Sequence, residues 1–169
     1  MLLKAVIAGL TMDPATNTPI VILKTEEGDQ TVPIWIGLLE ATSIASALQK
    51  VQFDRPMTHD LFKNFAEMQG ITVSSIEVCD LQDNTFYARI HFLSQDQQFS
   101  MDARPSDAIA LALRAGCPIF VDDQVLEKSG QLDGVKTAQC ARAPRGILFD
   151  RRRGDLDLAL SAKHARSLS

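Results

Sequence analysis

The chain has 169 residues, 46% of them hydrophobic, which is enough for one sizeable core and an appendage. It contains no run of 18 apolar residues, and its start lacks the order of charged, apolar and small residues that marks a signal peptide. The three cysteines have no metal-ligand spacing, and an odd number is typical of a reducing compartment. We therefore expect a soluble, cytoplasmic protein without a membrane segment.

Charge is distributed unevenly along the chain, whose net charge is −4. Residues 1–135 contain 9 Lys and Arg against 18 Asp and Glu, whereas residues 136–169 contain 8 against 3. An acidic body repels a polyanion unless a basic patch or a bound divalent cation reverses the local field. We therefore do not expect residues 1–135 alone to bind nucleic acid through non-specific electrostatic attraction. The arginines at 151–153 have the charge to do so, although such a run is also typical of a solvated tail.

An internal repeat organises the chain. Shifting the sequence by 67 positions aligns residues 2–48 with 69–115, with eight identities in 47 positions. The apolar periodicity also coincides, since each copy predicts a strand, a hairpin of two further strands and then a helix. We interpret this as an ancient duplication.

In the first copy, alternating apolar residues predict strands over 3–10, 20–25 and 31–36. A helix is predicted over 38–51. Its inward positions are Ala41, Ile44, Ala45 and Leu48. Between the copies a further helix is predicted over 58–68, with Thr58 as its N-cap. The residues expected to face inward on this linker helix are Leu61, Phe65 and Met68.

In the second copy, strands are predicted over 71–81, 85–93 and 98–102, followed by a helix over 105–115. The inward positions of that helix are Ala108, Leu111, Ala112 and Ala115. A last strand over 118–121 precedes a short helical segment over 122–127. From Ser129 the pattern gives way to Gly, Ala, Ser and Arg, and the leucines at 156, 158 and 160 fit a strand or a helix turn equally well.

These elements predict an α+β fold, in which duplicated strand-hairpin-helix units form a mixed or antiparallel sheet packed by helices. The folded domain is expected over 1–128, with a basic C-terminal tail over 129–169. Sheet edges in halves of this size need covering, so we expect a homo-oligomer, most simply a two-fold dimer. Trp35, Phe86 and Tyr87 are not interleaved with basic residues, and are therefore interpreted as core.

Polar residues concentrate at the start of the second-copy helix. Pro105 suits the first helical position, so Asp107 falls at the third position, where a carboxylate can reach a free backbone N–H. The repeat puts Gly37 and Glu40 at the matching cap and third positions. Capping is therefore the favoured interpretation for Glu40 and Asp107, with an Arg104–Asp107 ion pair as a further expectation. Asp102 ends a strand at this corner, and capping does not explain it.

A second polar segment opens the linker helix. Asp60 in the first turn is favourable to the helix dipole, whereas a protonated His59 is not, so capping does not account for His59. Arg55 precedes Pro56, which favours an extended backbone there, and it can clamp a phosphate or a carboxylate. The chain has no glycine-rich phosphate loop, zinc-type His and Cys spacing, or Gly-x-Ser-x-Gly elbow.

Several motifs, in one order, resemble the bifunctional nuclease family, long classed as a domain of unknown function. The matching segments are residues 33–37, 40–41, 55–61, 86–88, 102–112 and 118–121. The resemblance covers about residues 1–128. It implies an α+β fold and, from the plant members, a nuclease acting on DNA and RNA. Some relatives carry a helical hairpin module after the domain, which the tail of this chain does not match.

The resemblance also implies which side chains form the site. The family's polar positions correspond to Glu40, Arg55, Thr58, His59, Asp60, Asp102, Arg104, Ser106 and Asp107. A metal-assisted phosphodiester hydrolase needs carboxylates to hold Mg²⁺ or Mn²⁺, a base for water, and cations for the phosphate. The metal would be held by Asp102 and Asp107, with Asp60 as a further ligand. In this interpretation His59 is the base, and Arg55 and Arg104 bind the phosphate.

Two other functions remain open from the sequence. The acidic body suits a non-catalytic, oligomeric regulatory or binding module as well as it suits an enzyme. Alternatively, the polar segments only hold the two copies together, through buried Arg–Asp pairs. If the site is catalytic, His59, Asp102, Arg104 and Asp107 should form one cluster, and Asp102→Asn should abolish metal-dependent cleavage without unfolding the protein.

Overall fold

The computed structural model describes residues 1–95, 97–130 and the strand at 147–150. Within these residues the chain forms eight strands and four helices. The strands are β1 (Leu2–Met12), β2 (Pro19–Thr25), β3 (Thr31–Trp35), β4 (Ile71–Gln82), β5 (Thr85–Ser94), β6 (Gln97–Ala103), β7 (Ile119–Asp122) and β8 (Ile147–Asp150). The helices are α1 (Leu38–Leu48), α2 (Thr58–Met68), α3 (Pro105–Ala115) and α4 (123–130).

A single mixed sheet carries the fold. Its strand order is β3-β2-β1-β7-β4-β5-β6. Strand β8 is off this path and pairs with Gly9–Thr11 of β1. The β4–β7 pair is parallel, and every other pair among the described strands is antiparallel. The predicted α+β class is therefore confirmed, with the mixed form of the sheet.

The internal repeat is confirmed by this topology. Each copy is an antiparallel three-stranded unit followed by a helix, and α1 and α3 begin and end 67 residues apart. The strand order is symmetric about β7, which lies between β1 and β4 and belongs to neither copy. Because β7 runs antiparallel to β1 and parallel to β4, the two units run in opposite directions. The two units are therefore related by an approximate two-fold axis.

Both copies contribute to one hydrophobic core between the sheet and the helices. Ala41, Ile44 and Ala45 of α1 are buried as predicted, and Leu48 packs against the same core. On α3 the buried stretch includes Ala108, Leu111 and Ala112, whereas Ala115 is only half-buried. The interpretation of Tyr87 as core was wrong. It lies on the face of β5 opposite to the buried Ala88 and Ile90, and it is exposed.

The predicted orientation of α2 was also wrong. Leu61, Phe65 and Met68 are 59%, 61% and 81% exposed. The helix instead turns His59, Lys63 and Ala66 inward, with Ala66 as its one fully buried residue. The polar bonds of its first turn to α3 fix this rotation, together with a contact between the Phe62 and Phe92 rings, whose centroids are 6.3 Å apart.

The last helix passes residue 128, the predicted end of the domain. Helix α4 continues to residue 130, and Ser129 is buried with its hydroxyl donating to the Leu126 carbonyl. Strand β8 lies within the predicted tail, where no element was expected. The arginines at 151–153 and the leucines beyond them lie outside the described residues. None of the described helices is both long enough and apolar enough to cross a membrane.

Candidate functional site

The N-terminal halves of α1, α2 and α3 meet on the helix side of the sheet. Helix α3 begins at Pro105, whose fixed φ suits the first helical position, and α1 begins after Gly37. Each of these two helices has an acid at its third position. Together the three helix starts form a group of polar side chains that we call the His59 cluster: Glu40, Ser43, His59, Arg104 and Asp107.

His59 bridges two of the helices. Its Nε2 lies 3.0 Å from Oδ1 of Asp107 on α3, and its Nδ1 lies 2.9 Å from Oγ of Ser43 on α1. An ionised carboxylate only accepts hydrogen bonds, so the proton of the neutral ring is on Nε2. Nδ1 is then the acceptor, and the Ser43 hydroxyl donates to it. The bond to Asp107 thus fixes the tautomer that leaves a basic nitrogen against a hydroxyl.

Arg104 links the two copies. Its Nε and Nη2 donate to Asp107 at 2.8 and 3.2 Å, and its Nη1 donates to Glu40 at 2.9 Å. The predicted Arg104–Asp107 pair is therefore confirmed. In contrast, neither acid makes the predicted capping bond to a backbone N–H within the described residues, where both carboxylates accept from side chains instead. Among the described residues three of the five guanidinium N–H groups of Arg104 are used. The side chain is 66% exposed, so two donors are left for a ligand.

The electrostatics of the cluster favour the ionised carboxylate. Burial raises the pKa of Asp107, but the hydrogen bonds from Arg104 and His59 outweigh it and hold this pKa below its ordinary value. The bond to Asp107 in turn raises the pKa of Arg104. At neutral pH Asp107 is therefore a charged acceptor that orients both of its neighbours.

Asp60 makes a different set of contacts. Its Oδ1 accepts from Nε of Arg114 at 2.8 Å, and its Oδ2 accepts from the backbone N–H of Met57 at 3.2 Å. Arg114 is only 7% exposed and also donates to the carbonyls of Ala110 and Ser43. Asp60 thus caps α2 and ties it to α3. The predicted N-cap was wrong by one residue, since Met57 occupies the cap position and Thr58 is the first helical residue.

The structure does not bring Asp102 to the cluster. In β6, Asp102 pairs with Arg89 of β5, and it lies on the face opposite to Phe99 and Met101. Phe99 stacks on Phe92, which contacts α2, so that side of β6 is the helix side. Because side chains alternate along a strand, Asp102 points away from the helices. The sequence predicted one cluster of His59, Asp102, Arg104 and Asp107, and this prediction was wrong for Asp102.

The remaining candidates lie outside the cluster. Arg55 is exposed in the connection between α1 and α2, and Thr58 is exposed at the start of α2. Ser106 is buried in the first turn of α3. Within the described residues, neither Arg55 nor the side chains of Thr58 and Ser106 make a hydrogen bond to the His59 cluster.

The donor atoms do not form a ready divalent-cation site. Among the described residues there is no group of three or more His, Cys, Asp or Glu side chains able to hold a metal ion. Asp107 and Glu40 are both engaged by Arg104, so a cation would have to displace this guanidinium. Asp102, the other expected ligand, points to the opposite face. As arranged, these side chains do not fit a resident Mg²⁺ or Mn²⁺ ion.

The sequence reasoning missed two residues that shape the site, Ser43 and Arg114. The repeat contained a signal for both, because Ser43 aligns with Ala110, and Arg114 aligns with Ala47. A polar residue opposite alanine in a duplicated helix indicates a role that the fold does not require. Their contacts with His59 and Asp60 run between helices, however, and the sequence does not give the distances.

Residues 21–133 match the bifunctional nuclease domain family. The chain belongs to this family. The match includes every member of the His59 cluster, as well as Asp60 and Arg114.

Relatives of the bifunctional nuclease domain include both uncharacterised and named proteins. An uncharacterised protein of Mycobacterium tuberculosis is 40% identical over 126 residues, which are 75% of this chain and 75% of that protein. Bifunctional nuclease 1 of Arabidopsis thaliana is 30% identical over 138 residues, 78% of this chain and 42% of that protein. Bifunctional nuclease 1 of Oryza sativa subsp. indica is 26% identical over 114 residues, 65% of this chain and 34% of that protein. This chain thus spans less than half of the plant nucleases that it matches.

Proposed function

We propose that this bifunctional nuclease domain hydrolyses phosphodiester bonds of DNA or RNA at the His59 cluster. The observation that carries the proposal is the hydrogen bonding of His59, which has Nε2 fixed by Asp107 and Nδ1 against a hydroxyl. A base held in this way can accept a proton from a nucleophile without first changing tautomer. The names of the plant relatives support the same class of reaction.

Arg104 is the proposed phosphate-binding group. Its two unused N–H donors match the non-bridging oxygens of a phosphodiester, and a guanidinium binds such oxygens in a planar, bidentate manner. Charge on those oxygens grows as phosphorus is attacked, so a donor already held in position by Asp107 and Glu40 lowers the barrier. Arg55, exposed in the neighbouring connection, is a second group that could contact the nucleic-acid backbone.

The acidic body requires a separate source of attraction for the substrate. We propose that the basic residues 136–169 provide it, since they carry 8 Lys and Arg against 3 Asp and Glu. Replacing Arg151, Arg152 and Arg153 together by Gln should weaken binding of single-stranded DNA. The slope of log affinity against log salt should fall by about 2, at about 0.7 per lost phosphate contact. Fluorescence anisotropy across a salt series measures this slope, and an unchanged slope would remove the tail from the proposal.

The test of the activity is cleavage of labelled DNA and RNA by extensively purified protein, with Mg²⁺, Mn²⁺ or EDTA. His59→Ala should lower kcat by at least about 100-fold. Arg89→Ala removes an exposed arginine on the other sheet face, and should leave cleavage unchanged. A requirement for Mg²⁺ or Mn²⁺ stays a prediction, which the EDTA arm tests. If His59→Ala cleaves as fast as the unaltered protein, the activity belongs to another site or to a contaminant.

The variant Asp102→Asn tests whether Asp102 belongs to the proposed site. The sequence favoured Asp102 as a metal ligand, whereas the structure puts it on the opposite face from His59. We therefore expect the variant to retain both cleavage and thermal stability, because Asp102 is exposed and makes no side-chain hydrogen bond within the described part of the chain. Loss of cleavage with an unchanged melting temperature would restore Asp102 to the site.

The second candidate is a non-catalytic, homo-oligomeric regulatory or binding module, which the apolar face of α2 favours. Leu61, Phe65 and Met68 lie on one exposed face of α2, and in an antiparallel pair of α2 helices Leu61 of one copy can lie opposite Met68 of the second. Phe99 and Met101 are also exposed apolar side chains, on the helix side of β6, the strand at the edge of the described sheet. The occupant that we propose is a second copy of this chain.

The size of this surface fits a dimer. Five half-exposed large side chains offer roughly 100 Å² each, or about 500 Å² together. That is close to the apolar share of the roughly 800 Å² that each partner buries in a standard interface. Light scattering at micromolar concentration should give a dimer mass, and Phe65→Asp should give a monomer, while Tyr87→Asp on the other face should not. A monomeric unaltered protein would contradict the dimer, and dimerisation without cleavage would favour this second candidate.

A further inference from the structure

The hydroxyl of Ser43 is directed differently from the other hydroxyls of α1. Thr42 donates to the carbonyl of Leu38, and Ser46 donates to the carbonyl of Ser43, which are the usual bonds of helical serine and threonine to the preceding turn. The Ser43 hydroxyl instead points across to α2 and meets Nδ1 of His59 at 2.9 Å. Its position therefore needs an explanation other than helix geometry.

Ser43, His59 and Asp107 together have the arrangement of an activated nucleophile. Such a site is recognised when a nucleophile lies within hydrogen-bond reach of a base that a third group orients. Here the hydroxyl is 2.9 Å from Nδ1, and the carboxylate is 3.0 Å from Nε2. The ring is 18% exposed and Ser43 is half-buried, so the cluster opens to solvent at its edge.

We propose that Ser43 is the nucleophile of this site and forms a covalent phosphoseryl diester with the substrate. This inference rests on the proposed phosphodiester hydrolysis and adds its covalent step. Glu40 and Ser43 lie three residues apart on one face of α1, and Glu40 binds Arg104, which brings the proposed phosphate-binding group to the same side as the hydroxyl. The repeat agrees, since the second copy has Ala110 where the first has Ser43.

The reaction balances with water as the only co-reactant. Ser43 Oγ attacks phosphorus, its proton passes to His59 Nδ1, and the bond from phosphorus to the leaving ester oxygen breaks. The proton on Nδ1 then passes to that oxygen, which leaves as an alcohol. In the second half, water gives a proton to Nδ1 and attacks phosphorus, and the Ser43–phosphorus bond breaks. The product is a phosphate monoester, and the returning proton restores the Ser43 hydroxyl.

Two readouts test this role. A fluorophosphonate probe, which phosphonylates activated serines, should label Ser43 in the unaltered protein, as identified by peptide mass spectrometry. Ser43→Ala should lose the label and lower kcat for DNA or RNA cleavage by at least about 100-fold. Ser46→Ala is the matched control, one turn along α1, and should keep both. Ser43→Ala should fold normally, because alanine already occupies the equivalent position of α3 and favours helix.

The outcomes distinguish this inference from the function on which it rests. If the unaltered protein cleaves nucleic acid and Ser43→Ala cleaves equally well, the nucleophile assignment is overturned and His59 activates water instead. If Ser43 is labelled but nucleic acid is not cleaved, Ser43 is a nucleophile and the proposed substrate is wrong. If the unaltered protein neither cleaves nor reacts with the probe, both proposals fall.

Discussion

The two copies of the repeat have the same framework and differ where the polar cluster forms. Helices α1 and α3 have equal lengths, and both have an acid at the third position, Glu40 in one and Asp107 in the other. At three aligned positions, however, a small residue of one copy faces a polar residue of the other. These pairs are Gly37 with Arg104, Ser43 with Ala110, and Ala47 with Arg114.

This difference indicates that the shared alanines serve the common core, whereas the divergent polar residues link neighbouring helices. The alanines of α1 and α3 that both copies retain are buried in the common core. The divergent polar residues instead bond across helices, with Arg104 reaching Glu40, and Ser43 reaching His59. An approximate two-fold framework thus carries one asymmetric site, and His59 has no counterpart because it lies between the copies.

Making the second copy resemble the first should have the largest effect. Arg104→Gly introduces the residue of the first copy and removes the bonds to both acids. We expect kcat/KM for DNA or RNA cleavage to fall by at least about 100-fold, the size of effect seen when one transition-state hydrogen-bond donor is removed. Steady-state kinetics measures it, with Arg89→Ala as the matched loss of an exposed arginine. Similar losses in the two variants would show that net charge, and not the cluster, determines activity.

A smaller effect is expected at the buried arginine. Arg114→Ala again introduces the first-copy residue type and leaves Asp60 without its ion pair. Because Arg114 is almost fully buried and Asp60 is partly exposed, we expect the free energy of unfolding to fall by about 1–3 kcal/mol. Urea denaturation measures the change, and Arg89→Ala should stay within about 0.5 kcal/mol of the unaltered protein. A neutral Arg114→Ala would mean that α2 is held by its apolar contacts alone.

The pH dependence of stability should show whether the ionised Asp107 carboxylate stabilises the fold through its hydrogen bonds. Its folded-state pKa lies below the unfolded value of about 4, so its ionised form adds stability above that pH and loses this contribution as pH falls through the folded value. The gap in unfolding free energy between the unaltered protein and Asp107→Asn should therefore narrow on acidification below about pH 4. Thermal or urea unfolding across a pH series measures this gap. A gap that widened in acid would contradict the ion pairing described for Asp107.

The smallest effect is expected at the glycine cap of the first copy. A side-chain carbon at Gly37 would collide with the Glu40 carboxylate in its present position, so Gly37→Ala should push Glu40 away from Arg104. We expect a loss of stability below about 1 kcal/mol and a few-fold loss of cleavage. In the Glu40→Ala background, which removes the colliding carboxylate, the added alanine should cost clearly less, and a double-mutant cycle measures the difference. Fully additive effects would show that the collision has no consequence.

Much of the fold was predictable because it depends on local periodicity. The strands and helices, the duplicated units and the first helical position of Pro105 all follow from the spacing of apolar residues and from proline geometry. The orientation of α2 was not predictable in this way. Its most apolar stripe faces outward, because the bonds of His59 and Asp60 to α3 decide which side is buried.

The site was predictable by residue type and only partly by geometry. Resemblance identified His59, Arg104 and Asp107, and the structure brings these three together. It also named Asp102, which is only two residues before Arg104. Asp102 lies within β6, however, and its side chain is on the strand face away from the helices, whereas Arg104 follows the end of that strand. Ser43 is separated from His59 by 16 residues and by the end of a helix, so only the packing of α1 on α2 shows their contact.

The central position of β7 has a consequence for how the chain folds. Its partners are Leu2–Ala5 of β1 on one side and Ile76–Val78 of β4 on the other, so nearly the whole domain must be synthesised before the two halves can join. Closing such a distant pair costs loop entropy before it gains contacts, and sheets built on distant pairing fold slowly. The first copy therefore leaves the ribosome with one side of β1 unpaired. This edge is the segment most open to mispairing until residues 119–122 pair with Leu2–Ala5 and residues 147–150 pair with Gly9–Thr11.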